Sequence, residues 1–135
     1  MVTRTAACVC GQLSLEVEGE PRGVGVCHCL ACQRRTGSVF ATLAVFAAPW
    51  RVTGQAIEYV RTGDRGARFR FRFCPLCGST VFHTEEAVGG GSVSVAVGAL
   101  ADPEFPPPRV SVYDRRRHPW VSLPAGVRAF DTDPP

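Results

Sequence analysis

The chain has 135 residues, 45% of them hydrophobic, with 15 basic and 12 acidic side chains and a formal net charge of +3. That length suits one domain with a real core, and the apolar share argues against a largely disordered chain. The longest mostly apolar run, residues 39–50, is twelve residues interrupted by Thr42, too short to span a membrane as a helix.

Every basic residue is Arg; there is no Lys, no Asn and a single Ile, Ile57. The missing residue types have AT-rich codons, which points to a GC-rich bacterial genome. Without Lys the chain has no P-loop of the G-x-x-x-x-G-K-[ST] kind and no Schiff-base lysine. Residues 1–7 lack the apolar stretch of a signal peptide, so a cytoplasmic protein with reduced, metal-available thiols is expected.

In chain order, the first feature is Cys8-Val9-Cys10-Gly11. On a regular strand two such thiols would have Cβ atoms about 6–7 Å apart, so convergence on one ion needs a bent backbone, which Gly11 can supply. Leu13, Leu15 and Val17 then alternate with Ser14 and Glu16, the pattern of a half-buried strand. Cys27-His28-Cys29-Leu30-Ala31-Cys32 follows, combining C-x-C with C-x-x-C, and residues 30–35 suit a helical turn. Residues 39–46 read as a buried strand between turn signals. Residues 68–73 alternate strictly, with Phe69, Phe71 and Phe73 on one face and Arg68, Arg70 and Arg72 on the other. Cys74-Pro75-Leu76-Cys77-Gly78 comes directly after, a tight turn in which both sulfurs can meet one ion.

Further strands are predicted at 81–82, 93–97 and 110–113, and a helical turn at 114–117. Gly89-Gly90-Gly91 reads as a flexible turn, residues 102–109 with Pro106-Pro107-Pro108 as an extended connection, and 131–135 as a frayed tail. No segment sustains a 3.6-residue period for ten residues. The chain is therefore expected to be mainly all-β, in short antiparallel sheets with few helical turns, as one zinc-binding domain over 1–135.

The seven cysteines divide by spacing. Two pairs, Cys8 with Cys10 and Cys74 with Cys77, can close one four-thiolate structural site. Cys27, Cys29 and Cys32 can bind a second zinc from one turn, leaving a fourth position for water or an outside thiol. A disulfide framework fits poorly with an odd cysteine count and no secretion signal. His28 lies between two ligands and would point away, as a supporting or surface imidazole; His83 and His118 are distant candidates for a fourth ligand. Arg34 and Arg35 follow the triplet and could meet the carboxylates of a thiol substrate, or form a solvated basic surface. Trp50, Phe40 and Trp120 are candidates for a pocket wall, with the core as their alternative place. Seven thiolates and two zinc ions cancel the formal charge, which argues against nucleic acid as a partner.

These motifs resemble the glutathione-dependent formaldehyde-activating enzyme family, which includes the centromere protein V domain. The resemblance rests on Cys8-Val9-Cys10-Gly11, on Cys27-His28-Cys29-Leu30-Ala31-Cys32-Gln33-Arg34-Arg35-Thr36-Gly37-Ser38, on Phe73-Cys74-Pro75-Leu76-Cys77-Gly78-Ser79 and on Pro119-Trp120. It implies a small β-tent related to zinc ribbons, with Cys8, Cys10, Cys74 and Cys77 on a structural zinc and Cys27, Cys29 and Cys32 on a catalytic one. It also implies a carbon–sulfur lyase activity that joins formaldehyde to glutathione, giving S-(hydroxymethyl)glutathione. The partners would be a small-molecule thiol such as glutathione and an aldehyde, with neither nucleic acid nor membrane involved. The alternative is a non-catalytic zinc-binding interaction module, or a thiol or zinc sensor, whose contact surface would be the Arg68, Arg70 and Arg72 face.

Overall fold

The computed structural model describes residues 1–86 and 91–133 of the chain. It is mainly β, with 40% strand and 11% helix. The strands are β1 (Thr3–Ala7), β2 (Ser14–Glu18), β3 (Gly23–Cys27), β4 (Ala41–Phe46), β5 (Trp50–Thr53), β6 (Ile57–Thr62), β7 (Arg68–Phe73), β8 (Thr80–Glu85), β9 (Val93–Ala96), β10 (Val110–Val112) and β11 (Arg128–Ala129). One α-helix, α1 (Leu30–Thr36), and two 3₁₀ turns, Val97–Leu100 and Asp114–Arg116, complete the described elements. Among them no helix is long and apolar enough to cross a membrane.

The strands form a small antiparallel sheet, β1-β2-β5, and a large one in the order β11-β10-β3-β4-β9-β8-β7-β6. The large sheet is mixed rather than purely antiparallel, because β10 runs parallel to both β3 and β11. Those parallel pairs are made possible by the long connections that the proline-rich segment and the C-terminal residues provide.

The small sheet stacks on the large one. Leu15 and Val17, buried while Ser14, Glu16 and Glu18 are not, realise the predicted alternation of β2. With Ala6 they meet Ala44, Phe46, Phe82, Val93 and Val95 of the large sheet in one core. Each such fully buried Leu, Val or Phe contributes about 1.5–3 kcal/mol relative to exposure. The strand predicted at 39–46 starts at Ala41, and that at 93–97 ends at Ala96, where the backbone turns into the first 3₁₀ segment.

β1, β3, β5 and β6 carry no strong alternation. β3 reads Gly-Val-Gly-Val-Cys, and its glycines mask its strand character. Gly25 is small for a reason: a Cβ there would lie 3.3 Å from the carbonyl oxygen of Val110 on the parallel neighbour. The 102–109 segment is irregular, with Phe105 buried beneath it. At the C-terminus Tyr113 N donates to Thr132 O at 3.3 Å, so the tail is tied down that far. Gly89, Gly90, Pro134 and Pro135, to which the flexible-turn and frayed-tail readings apply, lie outside the described residues.

Candidate metal centres and active site

The first cysteine group closes where β1 ends and β7 ends. Cys8 N donates to Leu13 O at 3.0 Å and Gly11 N to Cys8 O at 3.0 Å, with Gly11 at φ +85°. The same turn recurs at the other knuckle: Cys74 N bonds Ser79 O at 3.0 Å, Gly78 N bonds Cys74 O at 2.9 Å, and Gly78 has φ +78°. Two such turns face each other, so Cys8, Cys10, Cys74 and Cys77 bring their sulfurs within 4.8 Å of one another.

The Cys8–Cys10 and Cys10–Cys74 sulfurs are each 3.6 Å apart. A tetrahedral zinc with bonds of about 2.3 Å separates its sulfurs by roughly 3.8 Å. Polar N–H groups surround the sulfurs as they do thiolates. Leu13 N reaches Cys8 Sγ at 3.3 Å, Leu76 N reaches Cys74 Sγ at 3.3 Å, and Gln12 Nε2 reaches Cys74 Sγ at 3.0 Å. The group fits a four-coordinate metal ion. Gln12 was not identifiable from sequence, where only its place after Cys-x-Cys-Gly sets it apart. It is held by Gln55, whose N–H donates to its Oε1 at 3.0 Å and whose carbonyl accepts from its Nε2 at 2.7 Å.

The second group sits on the large sheet. Cys27 ends β3, between Ala41 of β4 and Val112 of β10. The chain then turns into α1, for which Cys29 is the N-cap: its sulfur accepts from Cys32 N at 3.3 Å. Gly37, at φ +72°, ends the helix by donating to Gln33 O at 2.9 Å. Strand end, cap and first helical turn thus bring Cys27, Cys29 and Cys32 within 4.8 Å of one another. Hydrogen bonds from the Cys27 and Cys32 thiols hold Cys29 far below an ordinary thiol, at about 2, while hydrogen bonds with Cys29 and Cys32, together with burial, push Cys27 up. Three clustered thiols thus share one negative charge readily and a second or third only with a cation beside them, the behaviour of a metal-binding donor set.

Among the described residues no histidine joins either group. His28 is fully buried beside Phe40, with ring centroids 5.8 Å apart, and both ring nitrogens lack a hydrogen-bond partner. It points away from the sulfurs as expected, but into the interior rather than the surface, and burial lowers its pKa. His118 bonds Gln33 Oε1 at 3.0 Å and packs edge-on against Trp120. His83 does reach the cavity beside the triplet. Burial, with Arg35 and Arg61 adding to it, holds its pKa down at about 3, so it is neutral.

That cavity measures about 340 Å³ and opens above Cys27, Cys29 and Cys32. Its walls correct the aromatic expectation. Trp50 packs on Phe82, Phe40 packs on His28 and Trp120 is 72% exposed, and none of the three lines the cavity. Its aromatic wall is Phe69, Phe71 and Tyr113. Tyr113 has a left-handed backbone, φ +51°, and its hydroxyl donates to Asp64 Oδ2 at 2.7 Å. Of the two arginines predicted to meet substrate, Arg35 lines the cavity and Arg34 does not. Arg61, Arg115 and Arg116 also line it. No local motif announces them, since they come from β6 and from the segment after β10.

The Arg face of β7 is not a free surface. Glu58 pairs with Arg70 at 2.5 Å and Arg72 at 3.1 Å, and Glu86 with Arg70 at 2.5 Å and Arg68 at 3.3 Å. Three arginines share two carboxylates in this ladder, which leaves that face one net positive charge.

Fold and sites together define a mainly-β protein with one four-cysteine group suited to holding a metal ion and one three-cysteine group at the floor of a cavity. The sequence profile of the glutathione-dependent formaldehyde-activating enzyme matches residues 3–116, and the chain belongs to that family. A crystal structure of a Rhodobacter sphaeroides protein is similar, with 27% sequence identity and a TM-score of 0.56 over 73% of this chain and 91% of that one. No curated protein matches.

Proposed function

We propose that the protein is a zinc-dependent carbon–sulfur lyase of the S-(hydroxymethyl)glutathione synthase type, adding formaldehyde or a similar small aldehyde to a small thiol. The observation that carries this reading is the three-cysteine group without a protein fourth ligand among the described residues, opening into a cavity. The four-cysteine group supports a structural role instead, because its donor set is complete.

Cys27, Cys29 and Cys32 would hold the catalytic zinc, which, when bound, acts as a Lewis acid that favours the thiolate form of a coordinated thiol. The chain's own residues then set the geometry. Cys29 is fixed by the N–H of Cys32, and Cys27 by strand pairing on both sides, so the three sulfurs present one fixed face to the cavity. Phe69 and Phe71 make the opposite wall apolar, which limits water around the nucleophile. The reaction needs no redox partner. The thiol sulfur forms a bond to the aldehyde carbon, the carbonyl π bond breaks with its pair moving onto the oxygen, and the thiol's proton passes to that oxygen to give the hydroxyl. The N–H groups of the arginines around the cavity can stabilise negative charge developing on the oxygen.

The test is the loss of formaldehyde with glutathione present, followed with zinc-loaded protein against a buffer control. A rate above the spontaneous addition is expected. A rate equal to the control, with two zinc ions bound per chain, would overturn the proposal.

A further inference from the structure

Tyr113 is held in a backbone conformation that a bulky residue avoids. It has φ +51° and ψ +41°, in the left-handed region, where an L side chain crowds the backbone. Of the other described non-glycine residues only the small Ala101 has a positive φ. The neighbouring backbone imposes it. Tyr113 N donates to Thr132 O at 3.3 Å, Asp114 N to Phe130 O at 2.9 Å, and Arg116 N to Tyr113 O at 2.9 Å. Strain persists where the surroundings over-determine it, and it collects at functional sites. Here it falls at the end of β10, where Val112 pairs with Cys27, and the Tyr113 side chain lines the cavity that Cys27, Cys29 and Cys32 also line.

The Tyr113 hydroxyl donates to Asp64 Oδ2 at 2.7 Å. Asp64 sits in the β6–β7 turn, which is closed by Gly63 N to Ala67 O at 2.7 Å and Gly66 N to Gly63 O at 3.0 Å. β6 is one edge of the large sheet and β10 lies next to the other edge. The sheet therefore curls until its two ends meet at the cavity, and the phenol–carboxylate bond joins them there.

The addition reaction moves one proton from sulfur to oxygen, and few of the other side chains around the cavity can carry it. The arginines do not release theirs. His83 is neutral and, held at about 3 by burial, a poor acceptor. Tyr113 keeps its proton at neutral pH, because Asp64 and burial push its pKa up. The phenol has one proton to donate, and it goes to Asp64 rather than to Asp133, the cavity's other carboxylate. A hydroxyl that donates to a carboxylate still offers its oxygen lone pairs to a second donor.

We propose that Tyr113 and Asp64 form a proton relay, with Tyr113 the catalytic group at the reacting atoms and Asp64 the residue that positions it and holds the proton in transit. The S–H proton of the entering thiol passes to the Tyr113 oxygen while the phenol's own proton passes to Asp64. That transfer is uphill for a free thiol, about 8.5 against about 3.9, so it needs a thiol made acidic at the three-cysteine group. Once the sulfur–carbon bond has formed, the alkoxide takes the Tyr113 proton and Asp64 returns the held one to the phenol. Both residues end as they began, one S–H bond has become one O–H bond, and no oxidant or reductant takes part. This rests on the addition reaction proposed above.

The experiment follows formaldehyde loss with glutathione on zinc-loaded wild type, Tyr113→Phe, Asp64→Asn, the double variant and Tyr59→Phe, which alters the chain's other tyrosine. Asp64→Asn separates the roles, because an amide oxygen still accepts the phenol's hydrogen bond but cannot hold its proton. Tyr113→Phe and Asp64→Asn should each lower kcat about 100-fold, with KM within about twofold of wild type and two zinc ions still bound by metal analysis. The double variant should be within about twofold of the slower single, as for residues that act as a unit, where independent effects would multiply. Tyr59→Phe should match wild type. Wild-type kcat in Asp64→Asn, whatever Tyr113→Phe does, would make the bond a structural one and refute the relay, with the functional reading intact. A wild type no faster than the buffer control would defeat the functional reading itself, and the relay with it.

Discussion

Replacing Gly54 by Ala would place a Cβ 1.8 Å from the carbonyl oxygen of Gln12 and 2.8 Å from its carbonyl carbon. Both are backbone atoms, so no side-chain rotation relieves the clash. Gly54 follows β5, whose Thr53 pairs with Ser14 of β2, and it adopts φ +96°. Three terms add. A non-glycine residue at this φ costs about 1–3 kcal/mol. Moving Gln12 aside breaks its bond to Cys74 Sγ, worth about 1.5–3 kcal/mol if the sulfur is a thiolate, and loosens its two bonds to Gln55. With partial relaxation the total is about 3–5 kcal/mol, or a fall in Tm of roughly 10–20 °C for a chain of this size.

Gly66 supplies the control. It has φ +85°, but a Cβ there meets nothing within 4 Å. Gly66→Ala therefore carries the backbone strain without the collision, and about 1–2 kcal/mol is expected. The unfolded-chain entropy that any Gly→Ala change removes cancels between the two variants. Thermal unfolding by circular dichroism on metal-loaded protein gives both numbers, and release of metal to a chelator reports whether the Gln12–Cys74 bond went with the fold. Equal losses from the two variants would refute the steric argument.

Two further outcomes follow from the sites. Cys74 is fully buried and shared by the core and the four-cysteine group, so Cys74→Ser should unfold or aggregate the protein. Cys29→Ser should stay folded by circular dichroism with one zinc fewer by metal analysis, and equal damage from both would contradict the division of roles. His83 titrates normally near 6.5 when unfolded but at about 3 in the fold. Because its folded pKa is lowered, the unfolded chain takes up the proton first. Stability is thus lost as pH falls below 6.5, by roughly 1.4 kcal/mol at pH 5.5. His83→Gln should remove that part of the slope in urea titrations at pH 7.5 and 5.5, and an unchanged slope would show that the imidazole is not held neutral.

Both cysteine groups were legible in the sequence because their ligands come in local pairs and a local triplet, and short spacing constrains sulfurs whatever the rest of the chain does. The bends they need were legible too, in Gly11 and Gly78. β2 and β7 were legible because one face of each is apolar and the other polar. β3 was hidden, since a strand in the middle of a sheet can be held by its neighbours with glycines in its sequence. Arg61 was hidden for a different reason. Its meaning depends on cross-strand register, which places it opposite Phe69 and on the same side as Arg35, 26 positions earlier in the chain.

The sequence by itself determined the mainly-β class, the four-and-three division of the thiols and the family resemblance, all of which rest on contacts between near neighbours or on alternation along one strand. Only the tertiary structure decided which face of the Arg/Phe strand is ion-paired and which lines the cavity. It also moved Trp50 and Phe40 away from that cavity, brought Arg61, Tyr113 and His83 to it, and tied Gln12 to Cys74. Those are pairings between residues far apart in the chain, fixed by sheet order and register, and no local pattern encodes them.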